Sequence, residues 1–157
     1  MKHVINVMEK GKPAMRALFG FGTYLAKSSV EQKLLELIYF RVSQVNGCAY
    51  CLDMHSKDLR AKGEDEQRLY VLNAWREAPF YSARERAALA WAESLTTLKG
   101  SEVPDDVYEE ALLQFSEEEL IELTIAVIAI NSYNRLNIAF PNPANVGTYQ
   151  PGMHAAH

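Results

Sequence analysis

Three pairs along this chain place a serine three residues before a glutamate or glutamine at the head of an apolar run. The pairs are Ser29 with Gln32, Ser82 with Glu85, and Ser116 with Glu119. This spacing marks helix starts: the serine oxygen accepts the N–H of the third helical residue, and the longer side chain reaches back to the serine N–H. Apolar residues then recur at helical intervals, and no useful stretch alternates apolar and polar residues as a half-buried strand does. The expected class is all-α.

Taken in order, residues 13–27 read as a helix with Met15, Leu18, Phe19, Tyr24 and Leu25 on its apolar side, weakened by Gly20 and Gly22. Residues 30–45 read as a second helix, apolar on most sides and therefore buried, closed by Asn46-Gly47. A third runs from Cys48 to a stop at Gly63. A short fourth covers residues 65–76, with Leu69, Tyr70, Leu72 and Trp75 inward. The fifth extends from Ser82 to Gly100, and the sixth opens at Pro104. The last long helix spans residues 117–138; its centre, residues 121–130, is expected to be buried, and Glu117, Glu118 and Glu119 complement its dipole. Trp75 and Trp91 read as core, and the tail from Pro141 as irregular.

A chain of 157 residues reads as one domain, 1–157, large enough to hold a core without a disulfide. A net charge of -4 and a pI near 5.6 argue against nucleic acid or an anionic membrane as partner. Residues 1–10 lack the long apolar core of a signal peptide, and the longest uncharged apolar run, residues 123–130, is too short to span a bilayer. The expected compartment is the cytoplasm. There a lone Cys-x-x-Cys pair is more often catalytic or metal-binding than a structural staple.

The only two cysteines stand as Cys48-Ala49-Tyr50-Cys51, with His55 four residues beyond the second. Four residues are about one helical turn, so Cys51 and His55 share a face. Because Gly47 ends the preceding helix, the cysteines fall in the first turn of the next one. Unpaired N–H groups and the positive dipole end there favour a thiolate.

Four readings of this stretch compete. The pair can be two small buried residues. It can be a zinc site, but Cys48, Cys51 and His55 give three ligands, and Glu36 or another carboxylate would have to be the fourth. A thioredoxin-like site belongs to a βαβ setting that this chain does not offer. The fourth reading is a helical thiol peroxidase or disulfide enzyme, which Glu36 favours. A carboxylate within an apolar helix needs a partner or a task unless it sits on a solvent-facing edge. Arg86 and Arg135 are candidates for holding a substrate carboxylate, with an acidic helix partner as the competing expectation for Arg86. His3, His154 and His157 lie near the ends and are not expected to be catalytic.

The spacing Glu36-x11-Cys48-x2-Cys51-x3-His55 resembles that of the AhpD-like alkylhydroperoxidases of the carboxymuconolactone decarboxylase superfamily. The segment Ser43-Gln44-Val45-Asn46-Gly47-Cys48-Ala49-Tyr50-Cys51 is similar to that family's core signature. The stretches around Glu85-Arg86-Ala87-Ala88-Leu89 and Asn131-Ser132-Tyr133-Asn134-Arg135 also look familial, so the resemblance covers about residues 30–140. It implies an all-helical fold of about six to seven helices, with the Cys-x-x-Cys at the N-terminus of a central helix, in a homotrimer or homohexamer.

The resemblance also implies roles. Cys51 would be the peroxidatic cysteine and Cys48 the resolving one, closing a Cys48–Cys51 disulfide. Glu36 and His55 would form the proton relay. Tyr50 is a possible accessory residue, with packing on a neighbouring helix as the plainer expectation. The implied partners are a hydroperoxide and a dithiol reductant, such as a lipoylated protein, with no haem, flavin or metal. The alternatives are a general disulfide oxidoreductase, a redox sensor, or a carboxymuconolactone decarboxylase-type enzyme.

Overall fold

A computed structural model describes residues 5–153; His3, His154 and His157 lie outside the described residues. The described residues form eight α-helices and no strand. The helices are α1 (Val7–Lys10), α2 (Lys12–Leu25), α3 (Gln32–Asn46), α4 (Ala49–Ala61), α5 (Glu66–Tyr70), α6 (Ala83–Thr97), α7 (Asp105–Gln114) and α8 (Glu117–Ala139). The seven expected helices are present. The eighth, α1, is a single turn capped by the Asn6 side chain, which accepts the Glu9 N–H.

The core forms around α3, which packs on α4, α6 and α8. Leu35, Leu37, Ile38 and Val42 of α3 are fully buried, because α3 has neighbours on several sides at once. They meet Leu59 of α4, Ala88 and Leu89 of α6, and Leu123 and Val127 of α8 within one apolar cluster. Trp75 and Trp91 are buried as expected, and each indole N–H finds a partner: Glu93 for Trp75, Thr124 for Trp91.

Two of the three expected capping boxes form, at Ser82/Glu85 and Ser116/Glu119, with both reciprocal hydrogen bonds in place. The third does not. Glu31 is the N-cap of α3, and Ser29 turns instead to the Glu122 carboxylate on α8, donating from its hydroxyl at 2.7 Å. Ser28 does the same at 2.7 Å, while Gln32 donates to the Leu25 carbonyl. A carboxylate from a distant helix has outcompeted the local cap.

Other expectations are corrected by exposure. Tyr24 and Tyr70 face solvent, and Tyr70 donates to Glu66. The expected fourth helix stops at Tyr70 and continues only as a 3-10 turn, Leu72–Ala74. In α8, Leu123, Ala126, Val127, Ala129 and Ile130 are buried, but Ile121 and Ile128 lie on the outer face. Arg86 does not pair with an acid. Its guanidinium donates to the carbonyls of Trp75, Arg76, Ala78 and Tyr81 and so caps an irregular loop. Arg135 reaches only Asn131, one turn back on its own helix.

The tail is irregular except for a 3-10 turn, Pro143–Asn145, yet it is anchored. The Gly147 N–H donates to Asp53 at 2.9 Å, Lys57 donates to the Tyr149 carbonyl, and the buried Tyr149 hydroxyl meets both oxygens of Asp58. All three anchors belong to α4, so residues 147–149 are tied to the helix that carries the cysteines.

Candidate active site

Gly47 sets the site's backbone. It ends α3 in the left-handed conformation (φ 68°), where a side chain is strained. Its N–H and that of Cys48 satisfy the Gln44 and Ser43 carbonyls, at 3.3 and 3.1 Å. The chain reverses there, and Cys48 becomes the N-cap of α4, with Cys51 the third residue of that helix.

The two sulfurs lie 2.8 Å apart as free thiols, 2% and 1% exposed. Donation from the Cys51 thiol holds Cys48 down at about 7, against the cost of burial; the Cys51 and Tyr50 amides and the Asn134 side chain assist. Cys51 is correspondingly pushed up, by donating its proton to Cys48, by burial and by the Cys48 charge, with the Asn134 and Asn137 amides pulling the other way. The pair thus carries one negative charge and shares one proton near neutrality.

Sequence reasoning missed these two amides. Asn137 donates to Cys51 Sγ at 3.4 Å, and the fully buried Asn134 donates to Ser43 while accepting from Asn46. A signal was present: Asn131, Asn134 and Asn137 recur every third residue on an apolar helix, and buried amides must be paired.

Glu36 and His55 meet as expected. His55 Nδ1 lies 3.4 Å from Glu36 Oε2, and Lys62 Nζ, unforeseen, lies 2.6 Å from Oε1. The Glu36 side chain is only 16% exposed, which rules out the solvent-facing edge. Burial raises the Glu36 pKa, but the His55 and Lys62 contacts outweigh it and hold the carboxyl below its ordinary value. The Glu36 carboxylate faces Nδ1, so Nε2 is the ring nitrogen left to the site. His55 Nε2 is buried and has no hydrogen-bond partner.

His55 and Cys51 open onto one cavity of about 400 Å³, walled by Met15, Phe19, Leu25, Tyr39, Met54 and Ile130 among others. Tyr50 lines this cavity too. Among the described residues no Asp, Glu, Lys or Arg lines it, so neither Arg86 nor Arg135 reaches it.

The zinc arrangement weighed above is not assembled. Among the described residues, Glu36, His55 and Asp58 offer ligand atoms within 4.8 Å of one another, but neither cysteine belongs to that group. Lys62 and Tyr149 already hold its two carboxylates. The arrangement is suited to thiol redox chemistry: a dithiol with one lowered pKa at a helix start, a histidine whose Nε2 is unpartnered, and a pocket with no Asp, Glu, Lys or Arg among its described lining residues.

Comparison with known proteins gives the same fold. The chain is 40% identical over 144 residues to the uncharacterized protein YdfG of Bacillus subtilis, covering 92% of this chain and 98% of that one. A protein of unknown function from Agrobacterium tumefaciens, described as a candidate antioxidant defence protein AhpD, superposes with a TM-score of 0.85. It is 35% identical, over 96% of this chain and 99% of that one. A debrominase in its apo form has a TM-score of 0.72 at 23% identity, over 85% of this chain and 72% of that one, which shows a shared fold alone. The carboxymuconolactone decarboxylase family pattern matches residues 12–94, from α2 through the cysteine helix into α6. With more than half its length matched and its helical core shared, this chain belongs to the carboxymuconolactone decarboxylase family, among the AhpD-like proteins.

Proposed function

We propose that the protein is a thiol-dependent hydroperoxide reductase acting on neutral organic hydroperoxides. The observation that carries this reading is the position of Cys51. Its sulfur lies 2.8 Å from a second thiol, in a cavity shared with a histidine whose outer nitrogen is unpartnered. The similarity to a candidate AhpD antioxidant protein supports it. The uncharged walls favour an apolar, uncharged substrate.

The proposed chemistry has two steps. Shifting the shared proton to Cys48 leaves Cys51 as a thiolate supported by Asn137. It attacks the outer oxygen of ROOH and breaks the O–O bond. His55 takes up one proton from solvent at Nε2, steadied by Glu36 at Nδ1, and passes it to RO⁻, forming ROH and Cys51–SOH. The Cys48 sulfur then attacks the sulfenic acid, water leaves, and a Cys48–Cys51 disulfide forms. An external dithiol, lipoyl-borne or otherwise, restores the pair. The working form is proposed to be a trimer or hexamer, for which exposed Leu113, Ile121 and Ile128 supply apolar surface to cover.

Glu36→Gln tests the relay. Peroxide turnover should fall about a hundredfold or more, in line with the loss of general acid–base assistance, while both thiols remain countable. Full turnover in that variant contradicts the relay and leaves a redox sensor or a general disulfide oxidoreductase as the reading.

A further inference from the structure

The two cysteines line different cavities. Cys51 opens onto the cavity described above, whereas Cys48 lines a second one of about 410 Å³. Their common wall is formed by Met8, Met15, Tyr50, Tyr133, Asn137 and Asn145. The second cavity is enclosed by the start of α4 at Ala49, the end of α8 at Leu136 and the tail at Pro143 and Val146. Among the described residues, Cys48 carries the only sulfur in it besides the thioethers of Met8 and Met15, and no Asp, Glu, Lys or Arg lines it. His55 and Glu36 are absent from its walls, so it offers no proton relay for peroxide chemistry.

We infer that this second cavity is the docking site of an uncharged dithiol reductant, which attacks the oxidised pair at Cys48. The inference rests on the peroxidase reading for the origin of the disulfide, but not for the cavity's position. Thiol–disulfide exchange requires the attacking sulfur, the attacked sulfur and the leaving sulfur to lie nearly in line, so access decides which sulfur is attacked. Cys48 lines the second cavity and Cys51 does not, so a nucleophile docked there meets Cys48, with Cys51 as the leaving sulfur. The reductant's thiolate bonds to Cys48 Sγ, the Cys48–Cys51 bond breaks, and the electron pair goes to Cys51. That leaving thiolate is met by Asn137 Nδ2, 3.4 Å away. In the reduced enzyme the 2.8 Å contact between the sulfurs favours the charge on Cys48, and a disulfide has no such thiol contact. The reductant's second thiol then attacks the mixed disulfide, departs as a cyclic or internal disulfide, and returns Cys48 as a thiol after one proton is taken up. Oxidation and reduction thus use opposite faces of one dithiol, and a bound alcohol product need not leave before the reductant docks.

The test starts from protein oxidised with diamide, so it does not depend on peroxide reactivity. The oxidised protein is exposed briefly to 2-mercaptoethanol, quenched with N-ethylmaleimide, and mapped by peptide mass. The expected result is a mercaptoethanol adduct on Cys48 and a maleimide on Cys51; the adduct on Cys51, or equally on both, overturns the inference. As a second measurement, Ala49→Trp fills the Cys48 cavity. Reduction of its diamide-formed disulfide by dithiothreitol should slow by about tenfold more than its oxidation by cumene hydroperoxide does. If Ala49→Trp does not fold, Val146→Trp fills the same space from the tail. Equal slowing of the two half-reactions overturns the inference. Failure of cumene hydroperoxide to oxidise the wild-type pair sinks the peroxidase reading alone, because the adduct map still reports the attacked sulfur.

Discussion

Lys62 Nζ lies 2.6 Å from Glu36 Oε1, and it approaches from the opposite end of the helix that bears the cysteines. Lys62 is the C-cap of α4 and is half-exposed, while Glu36 sits at the middle of buried α3. The carboxylate therefore has one oxygen on a lysine at the rim and the other toward His55 in the site. Because the Glu36 pKa lies below its ordinary value, the ionised form stabilises the native protein above the usual carboxylate range. That contribution fades as pH falls through the depressed value.

Lys62→Gln should move the acidic limb of the activity profile to higher pH, because Glu36 then protonates more easily. An exposed ion pair is worth up to about 1 kcal/mol, so the loss near pH 5 should be about fivefold or less, with little change at pH 8. A pH–rate profile of kcat/KM checks this. An unchanged acidic limb means that Glu36 ionisation does not control the step.

The dithiol should titrate as one acid near neutrality. Thiolate absorbance at 240 nm is expected to show one group with a midpoint of about 7, and no second thiolate until strongly alkaline pH. The rate of oxidation should fall as pH drops through that midpoint, since a neutral thiol is a poor nucleophile. Two thiols titrating together at ordinary values would show that the sulfurs do not share a proton.

Asn137→Ala should weaken the thiolate at Cys51 specifically. Hydrogen bonds to charged groups are worth about 1.5–3 kcal/mol, so alkylation of Cys51 in a Cys48→Ser background should slow about tenfold or more. The Cys51 midpoint should rise in the same variant. A rate within twofold of its Cys48→Ser parent would remove Asn137 from the site.

Legibility followed the range of the interactions. The Ser82 and Ser116 caps and the Gly47 stop depend on neighbours within a few residues, and the sequence displays them directly. The Glu36, Cys48, Cys51 and His55 cluster was legible because helical spacing and a family signature coincide. Ser29 misled because its partner, Glu122, is 93 residues away. The anchoring of Tyr149 by Asp58, 91 residues apart, was invisible for the same reason, and a tail rich in proline and glycine looked free. Asn137 was overlooked because a polar residue on a long helix resembles a solvent-facing one until α4 is packed against α8.

The most direct measurement is a thiol count by mass after a slight excess of cumene hydroperoxide, on the wild type, Cys48→Ser and Cys51→Ser. The account predicts rapid loss of both wild-type thiols, a dimedone-trapped sulfenic acid at Cys51 when Cys48 is replaced, and no reaction when Cys51 is replaced. Wild-type thiols that stay reduced for hours, or a sulfenic acid trapped at Cys48, would contradict it.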